Sequence, residues 1–185
     1  MALSTEDTYP TRGMEIQTTT DTGAEPVNVE EVKEYIGLTG SAKDGELQLI
    51  IAAAREAVER KYLISLKPKT YTVYVFNPGT IIDIPYPPTE SITGVVSIDS
   101  EGTETSLTLN TDYYLWGNKD VKMQLTDLSY PVKFTVVSGP DAITAGQKYG
   151  LIRLCREMFD GTWMPGEKIP SDIHATFASY GKNKW

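Results

Sequence analysis

The chain is short of the residues from which covalent staples and catalytic centres are made. It has one cysteine, Cys155, and one histidine, His174, in 185 residues. A lone cysteine excludes an internal disulfide and any multi-cysteine metal site within one chain. Long apolar runs are missing too: the longest, Leu49 to Ala54, is far too short to span a bilayer. Met1 to Gly13 has no basic start followed by an apolar run, so no signal peptide is expected. No Gly-x-Gly-x-x-Gly follows a strand pattern and no Gly-Lys-Ser/Thr occurs, which removes the usual phosphate cradles. The expectation is a soluble protein made in a reducing compartment.

What is present describes a folded, acidic chain. Hydrophobic residues make up 40% and charged residues 23%, a globular balance with enough material for a real core. The net charge is -8. An acidic surface repels phosphate backbones, which argues against tight nucleic-acid binding and is compatible with a surface that lies near DNA without holding it.

The pattern changes several times along the chain. Residues 1–25 are polar, with Thr18, Thr19, Thr20 and Thr22 close together, and read as a flexible arm. Asn28 with Glu31 forms a capping box for a short helix carrying Val32, Tyr35 and Ile36, ended by Gly37 and Gly40. A second helix runs from near Asp44 to about Leu63. Leu47, Ile50, Ile51, Ala54, Val58 and Tyr62 form its buried stripe, and Arg55, Glu56, Glu59 and Arg60 its wet face. Ala52, Ala53, Ala54 and Ala57 leave room for another helix. From Lys69 to Val137 the period drops to two. Strands are expected at Thr70–Phe76, Thr80–Ile84, Ile92–Ile98, Thr103–Leu109, Tyr113–Trp116, Val121–Leu125 and Val132–Val137. Asp99 to Gly102 and Gly117 to Asp120 read as turns, and Pro85, Pro87 and Pro88 as an extended connector. Thr144 with Gln147 opens a third helix with Tyr149, Ile152, Cys155 and Phe159 along one side. Ser171 starts a last one with Ile173, Phe177 and Tyr180.

Strands segregated between helices give an α+β fold: a small helical bundle with an inserted antiparallel β block and a short C-terminal helix. The organisation expected is an arm at 1–25, a helical hairpin at 26–68, a β insertion at 69–138, and C-terminal helices with a tail at 139–185.

Motifs with chemical meaning are few. Asp21-Thr22-Gly23-Ala24 resembles the catalytic loop of retroviral-type aspartic proteases, but that loop follows an apolar strand and Gln17 to Thr20 is polar. Cys155 lies on an apolar helix side, where cysteine behaves as a small hydrophobe, and His174 adjoins Ile173 with no orienting partner in view. Asp99-Ser100-Glu101-Gly102 lacks the spaced carboxylates of a calcium loop. No catalytic residue, cofactor or metal is expected. Trp163, Tyr180 and Trp185 gather near the C-terminal end as core cover or interface anchors.

Four segments in order resemble tailed-bacteriophage head–tail connector (adaptor) proteins. Pro26 to Ile36 (PVNVEEVKEYI) looks like the family's opening, and Leu47 to Glu59 (LQLIIAAAREAVE) like its Ala-Ala-Arg helix. Ile84-Pro85-Tyr86-Pro87-Pro88 leading to Ile92-Thr93-Gly94-Val95 is similar to its longer branch, and Ile169 to Ile173 through Tyr180-Gly181-Lys182 to its close. The Thr-rich arm is longer than the family pattern, and Gly181-Lys182 replaces the usual Arg. The resemblance implies a structural virion protein of the neck, made in the bacterial host cytoplasm, in a ring of usually twelve copies. That ring would dock on the portal protein, extend the DNA channel without sequence-specific binding, and receive a downstream head-completion or tail protein. It implies portal contact through Ile169, Ile173, Phe177, Tyr180, Lys182, Lys184 and Trp185. Ala53, Ala57, Arg55 and Arg60 on the second helix are the expected ring contact. A different reading of the same residues is a soluble β-sheet binding module for carbohydrate or peptide, using exposed Tyr and Trp.

Overall fold

A computed structural model describes residues 13–21, 23–127 and 131–178. The chain divides into two compact units, a β unit from residues 13–21 and 69–138 and a helical unit from 23–68 and 139–178.

The helical unit holds four helices. α1 (Val29–Ile36) carries the expected capping box: Asn28 accepts from the Glu31 amide, and the Glu31 carboxylate accepts from the Asn28 amide. It ends on Gly37 at φ 74°, a left-handed cap that glycine adopts without strain. α2 (Asp44–Tyr62) buries Leu47, Ile51, Ala54, Val58 and Tyr62, the stripe its 3.6-residue period predicts. α3 (Ala145–Phe159) starts in a second capping box, Thr144 with Gln147. α4 (Ser171–Phe177) is short and depends on packing, with Ile173 and Phe177 buried. Their shared core includes Val32, Leu47, Val58, Leu151, Leu154 and Phe177, each completely or almost completely buried. Burial of side chains this size stabilises by roughly 1.5–3 kcal/mol each.

Within that unit α3 packs Cys155, Ile152 and Phe159 as expected but not Tyr149. Its buried residues are Gln147, Gly150, Leu151, Leu154 and Cys155, whereas Tyr149 is 52% exposed. Gly150 makes the difference: a Cβ there would meet Thr176 Oγ1 at 2.3 Å and Phe177 Cε2 at 2.9 Å. The missing side chain lets α4 approach and turns this face inward. Tyr149 instead meets Tyr35 edge-on, with ring centroids 6.1 Å apart.

The β unit has eight strands in two antiparallel sheets: β1 (Met14–Thr20), β2 (Lys69–Val75), β3 (Ile81–Asp83), β4 (Thr89–Ile98), β5 (Glu104–Ser106), β6 (Tyr113–Trp116), β7 (Lys122–Leu125) and β8 (Val132–Ser138). Five strands run in the order β1-β2-β8-β4-β5 and three in the order β3-β7-β6. Tyr71, Val73, Val75, Phe134 and Val136 from the larger sheet share a core with Ile82, Tyr113, Met123 and Leu125 from the smaller. β2 and β8 alternate half-buried and buried residues, the period-two signature of a sheet with one face on a core. Asp99 closes the β4–β5 hairpin by accepting from the amides of Glu101 and Thr103 at 2.9 and 2.8 Å.

β1 corrects the expectation of a flexible arm over 14–20. Met14 to Thr20 pairs with β2 from Met14↔Val75 to Thr20↔Thr70, although none of its seven residues is fully buried. The ladder supplies what side-chain burial does not, and β-branched threonine suits an extended edge. Thr19 and Thr72 hydroxyls lie 3.0 Å apart across the pair.

Candidate functional site

The most ordered electrostatic feature lies inside the helical unit. Arg55 Nε donates to Glu25 Oε2 at 2.8 Å, and Nη1 to Glu59 Oε2 at 2.5 Å. Lys67 Nζ donates to Glu25 Oε1 at 3.1 Å, and the Leu66 amide to Glu59 Oε1 at 2.9 Å. The Arg55, Glu59 and Lys67 side chains are 3%, 9% and 8% exposed, so Arg55 and Glu59 do not form the wet face expected of them. Burial opposes the Arg55 charge, but Glu25 and Glu59 outweigh it and hold the guanidinium above its ordinary value. The network ties the segment before α1 to α2 and to the loop after it. Beside it an open cavity of about 380 Å³ is walled by Pro26, Pro68, Pro140 and Ile143. Its two lysines, Lys67 and Lys148, are already paired with Glu25 and Glu31.

No catalytic arrangement assembles around the residues singled out for chemistry. Cys155 is fully buried and its thiol is pushed up to about 12 by burial, the state of a core thiol. His174 Nδ1 lies 2.6 Å from the Tyr62 hydroxyl. Asp21 pairs with Lys69 at 3.8 Å, while Gly23 packs on Pro68 and Thr22 lies outside the described residues. Among the described residues no group of three His, Cys, Asp or Glu is gathered to hold a metal ion. No helix there is long and apolar enough to cross a membrane.

The expected portal-contact residues separate into two groups. Ile169, Ile173 and Phe177 are core residues, at most 5% exposed, and so are not surface anchors in this fold. Tyr180, Lys182, Lys184 and Trp185 lie outside the described residues. Trp163 is core cover: it is 3% exposed and its indole N–H donates to the Lys168 carbonyl at 3.2 Å.

On α2 the expected ring-contact set also divides. Arg55 is committed to the buried network, and Ala57 packs against the core. Ala53 is half-buried and Arg60 exposed. The outward stripe of this helix is Leu49, Ala53, Glu56 and Arg60, at i, i+4, i+7 and i+11. Leu49, part of the apolar run Leu49 to Ala54, is 74% exposed. In the β unit Ile81, Tyr114 and Trp116 are 56%, 37% and 57% exposed. What could have exposed them to sequence reading is the two-residue period: Tyr114 and Trp116 alternate with buried Tyr113 and half-buried Leu115.

No protein-family model matches the chain, and no curated protein matches it in sequence. Solved structures do. A chain in the neck of an empty GTA particle computed with C6 symmetry superposes with a TM-score of 0.71 at 16% identity, covering 89% of this chain and 94% of that one. A chain in the virion of a native gene transfer agent (GTA) particle gives 0.71 at 16%, covering 90% and 94%. A chain in the neck of a native GTA particle computed with C12 symmetry gives 0.68 at 14%, covering 89% and 93%. At that identity the likeness establishes a common fold over nearly the whole length of both chains.

Proposed function

We propose that this chain is a structural subunit of the neck of a tailed-phage-like virion: a head–tail connector that assembles in a ring, docks on the portal, extends the DNA channel and receives the next neck or tail protein. The observation that carries the reading is the near end-to-end likeness to chains from particle necks and a particle virion. A shared fold does not dictate function. The composition agrees with the reading: the function rests on surfaces, and the net charge of -8 suits a channel wall along which DNA slides. Symmetries of six and twelve in the similar particles fit a ring whose copy number is a multiple of six. The role is not enzymatic, and no cofactor takes part.

Portal contact falls, in this proposal, to Tyr180, Lys182, Lys184 and Trp185. The experiment is co-sedimentation with the portal ring of the same particle, using the full chain beside a truncation after Ala178. That end point keeps Ile169, Ile173 and Phe177, so the core is intact. Binding by the full chain alone supports the reading. Equal binding by both removes the tail from the contact, and binding by neither at low and moderate salt removes the connector. The exposed pair Tyr114 and Trp116 is the observation behind a second reading, a β-sheet module for carbohydrate or peptide. Saturable glycan binding lost on Trp116→Ala would favour it.

A further inference from the structure

Three large apolar side chains meet on one face of the three-stranded sheet. The register pairs Ile81 with Gln124 and Gln124 with Tyr114, so these three form one cross-strand row. The next row on the same face is Asp83, Lys122 and Trp116. Intervening residues Ile82, Met123 and Leu115 point the other way, with Ile82 and Met123 buried in the core. Lys122 Nζ donates to Asp83 Oδ1 at 2.7 Å, and Trp116 lies on the other side of Lys122 in the same row. Aromatic side chains bury about 150–250 Å² each, so with Ile81 the face holds an apolar patch on the order of a few hundred Å². That is the centre of an interface rather than the whole of one, which needs about 800 Å² per partner.

The outward stripe of α2 has matching features in matching order. Leu49 is 74% exposed, Ala53 leaves space for a ring, and then come Glu56, exposed although its carboxylate also accepts from Arg55 Nη2 at 3.4 Å, and Arg60. Arg60 has no ion-pair partner among the described residues. Sheet rows two residues apart are separated by about 7 Å. On a helix rising about 1.5 Å per residue, Glu56 and Arg60 lie about 4.5 and 10.5 Å beyond Ala53. With Ala53 over Gln124, between Ile81 and Tyr114, the two charged side chains straddle the second row. Glu56 then faces Lys122, and Arg60 faces Asp83 and the Trp116 indole. Both faces are exposed within the chain that carries them, so each is left for another molecule.

We infer that the outer face of β3-β7-β6 docks on the outer face of α2 of a second copy. The contact proposed is head-to-tail, each copy giving its sheet face to one neighbour and its α2 face to another, the kind that closes into a ring. The inference rests on the ring reading above and supplies the missing half of its copy–copy contact.

Cysteine cross-linking tests it. Ala53→Cys and Gln124→Cys are made singly and together, and a short bismaleimide is applied over a range of protein concentrations. The native Cys155 is buried and stays silent. Each single variant alone gives no product, the two mixed give dimer only, and the double variant gives a ladder beyond dimer. Adding Trp116→Ala to the double variant lowers the ladder yield about thirty-fold, as loss of a central aromatic anchor does. Circular dichroism checks that this exposed substitution leaves the fold unchanged. Self-cross-linking by either single variant overturns the head-to-tail pairing in favour of like-with-like contact. A double variant without a ladder, while the unmodified chain sediments as an oligomer, overturns the pairing and leaves the ring standing. An unmodified chain that is monomeric at every concentration, with no ladder, overturns both.

Discussion

Arg55→Met tests the buried network, because it removes a charge and keeps an apolar stem of similar length. Three contacts are lost directly, Arg55 to Glu25 at 2.8 Å, to Glu59 at 2.5 Å and to the exposed Glu56 at 3.4 Å. Their consequences differ. Glu25 is 31% exposed and keeps Lys67, so water and a second cation compensate. Glu59 is 9% exposed and loses its guanidinium inside the unit. Removing one partner of a buried pair costs about 3–5 kcal/mol, mostly the penalty of the charge left behind. Glu25→Gln removes a partly solvated partner and should cost less, about 1.5–3 kcal/mol. The double variant Arg55→Met, Glu59→Leu takes out both charges and should recover much of the loss, up to the Leu66 amide that then lacks its acceptor. Urea unfolding followed by Trp163 fluorescence reads the helical unit, with Trp116 and Trp185 replaced by Phe so that only the buried indole reports. A cost below about 1 kcal/mol for Arg55→Met, or a double variant less stable than that single one, would refute the reasoning.

Gly150→Ala should destabilise by about 1–3 kcal/mol, since its Cβ would lie 2.9 Å from a Phe177 ring that is fully buried; a lowered urea midpoint checks this. Gly139→Ala should be at least as costly, with φ at +100° and a Cβ 2.0 Å from the Lys67 carbonyl oxygen. Acid should weaken the fold in a defined window. The hydrogen bond from Lys148 holds Glu31 below its ordinary 4.5, and the Thr103 amide holds Asp99 below its ordinary 3.8. Both groups bind fewer protons folded than unfolded, so their stabilisation is full above about pH 4.5 and fades as pH falls through the lower folded values. Urea midpoints from pH 6 to 3 should decline over that range, less steeply in Lys148→Met. Cys155 should resist maleimide in the native protein and react only as fast as the helical unit opens, which mass spectrometry over time measures.

Much of the fold was legible because its signals are local. Both capping boxes, Asn28 with Glu31 and Thr144 with Gln147, are formed by residues three apart, and both are present. The α2 stripe and the alternation of β2 and β8 are periodicities within single elements. β1 was missed because its reason for existing is elsewhere. Thr18 to Thr20 carry no burial signal, and Met14 to Thr20 is a strand only because Thr70 to Val75 offers a ladder 50 to 61 residues away. On α3 Cys155 is core and Ile152 and Phe159 pack against it as their spacing predicts, and Tyr149 alone of that side faces out. The face that packs is centred on Gly150, whose contribution is an absence.

The candidate surfaces failed and succeeded for the same kind of reason. Arg55 and Glu59 sit four apart beside the buried stripe, and charge alone marked them as wet. Whether a charge at a stripe's flank is buried depends on partners, and these come from Glu25, thirty residues before Arg55, and from the Leu66 amide, seven after Glu59. Ile169, Ile173 and Phe177 erred the other way. An i, i+4 apolar pair such as Ile173 and Phe177 is first a claim on the chain's own core, even in a final segment. What survives as a surface is what neither core buries: Leu49, Ala53, Arg60 and the outer side of Glu56 on α2, and Ile81, Tyr114 and Trp116 on the small sheet. For a protein whose work is assembly, the residues to mutate are those left over after each unit's internal contacts are assigned.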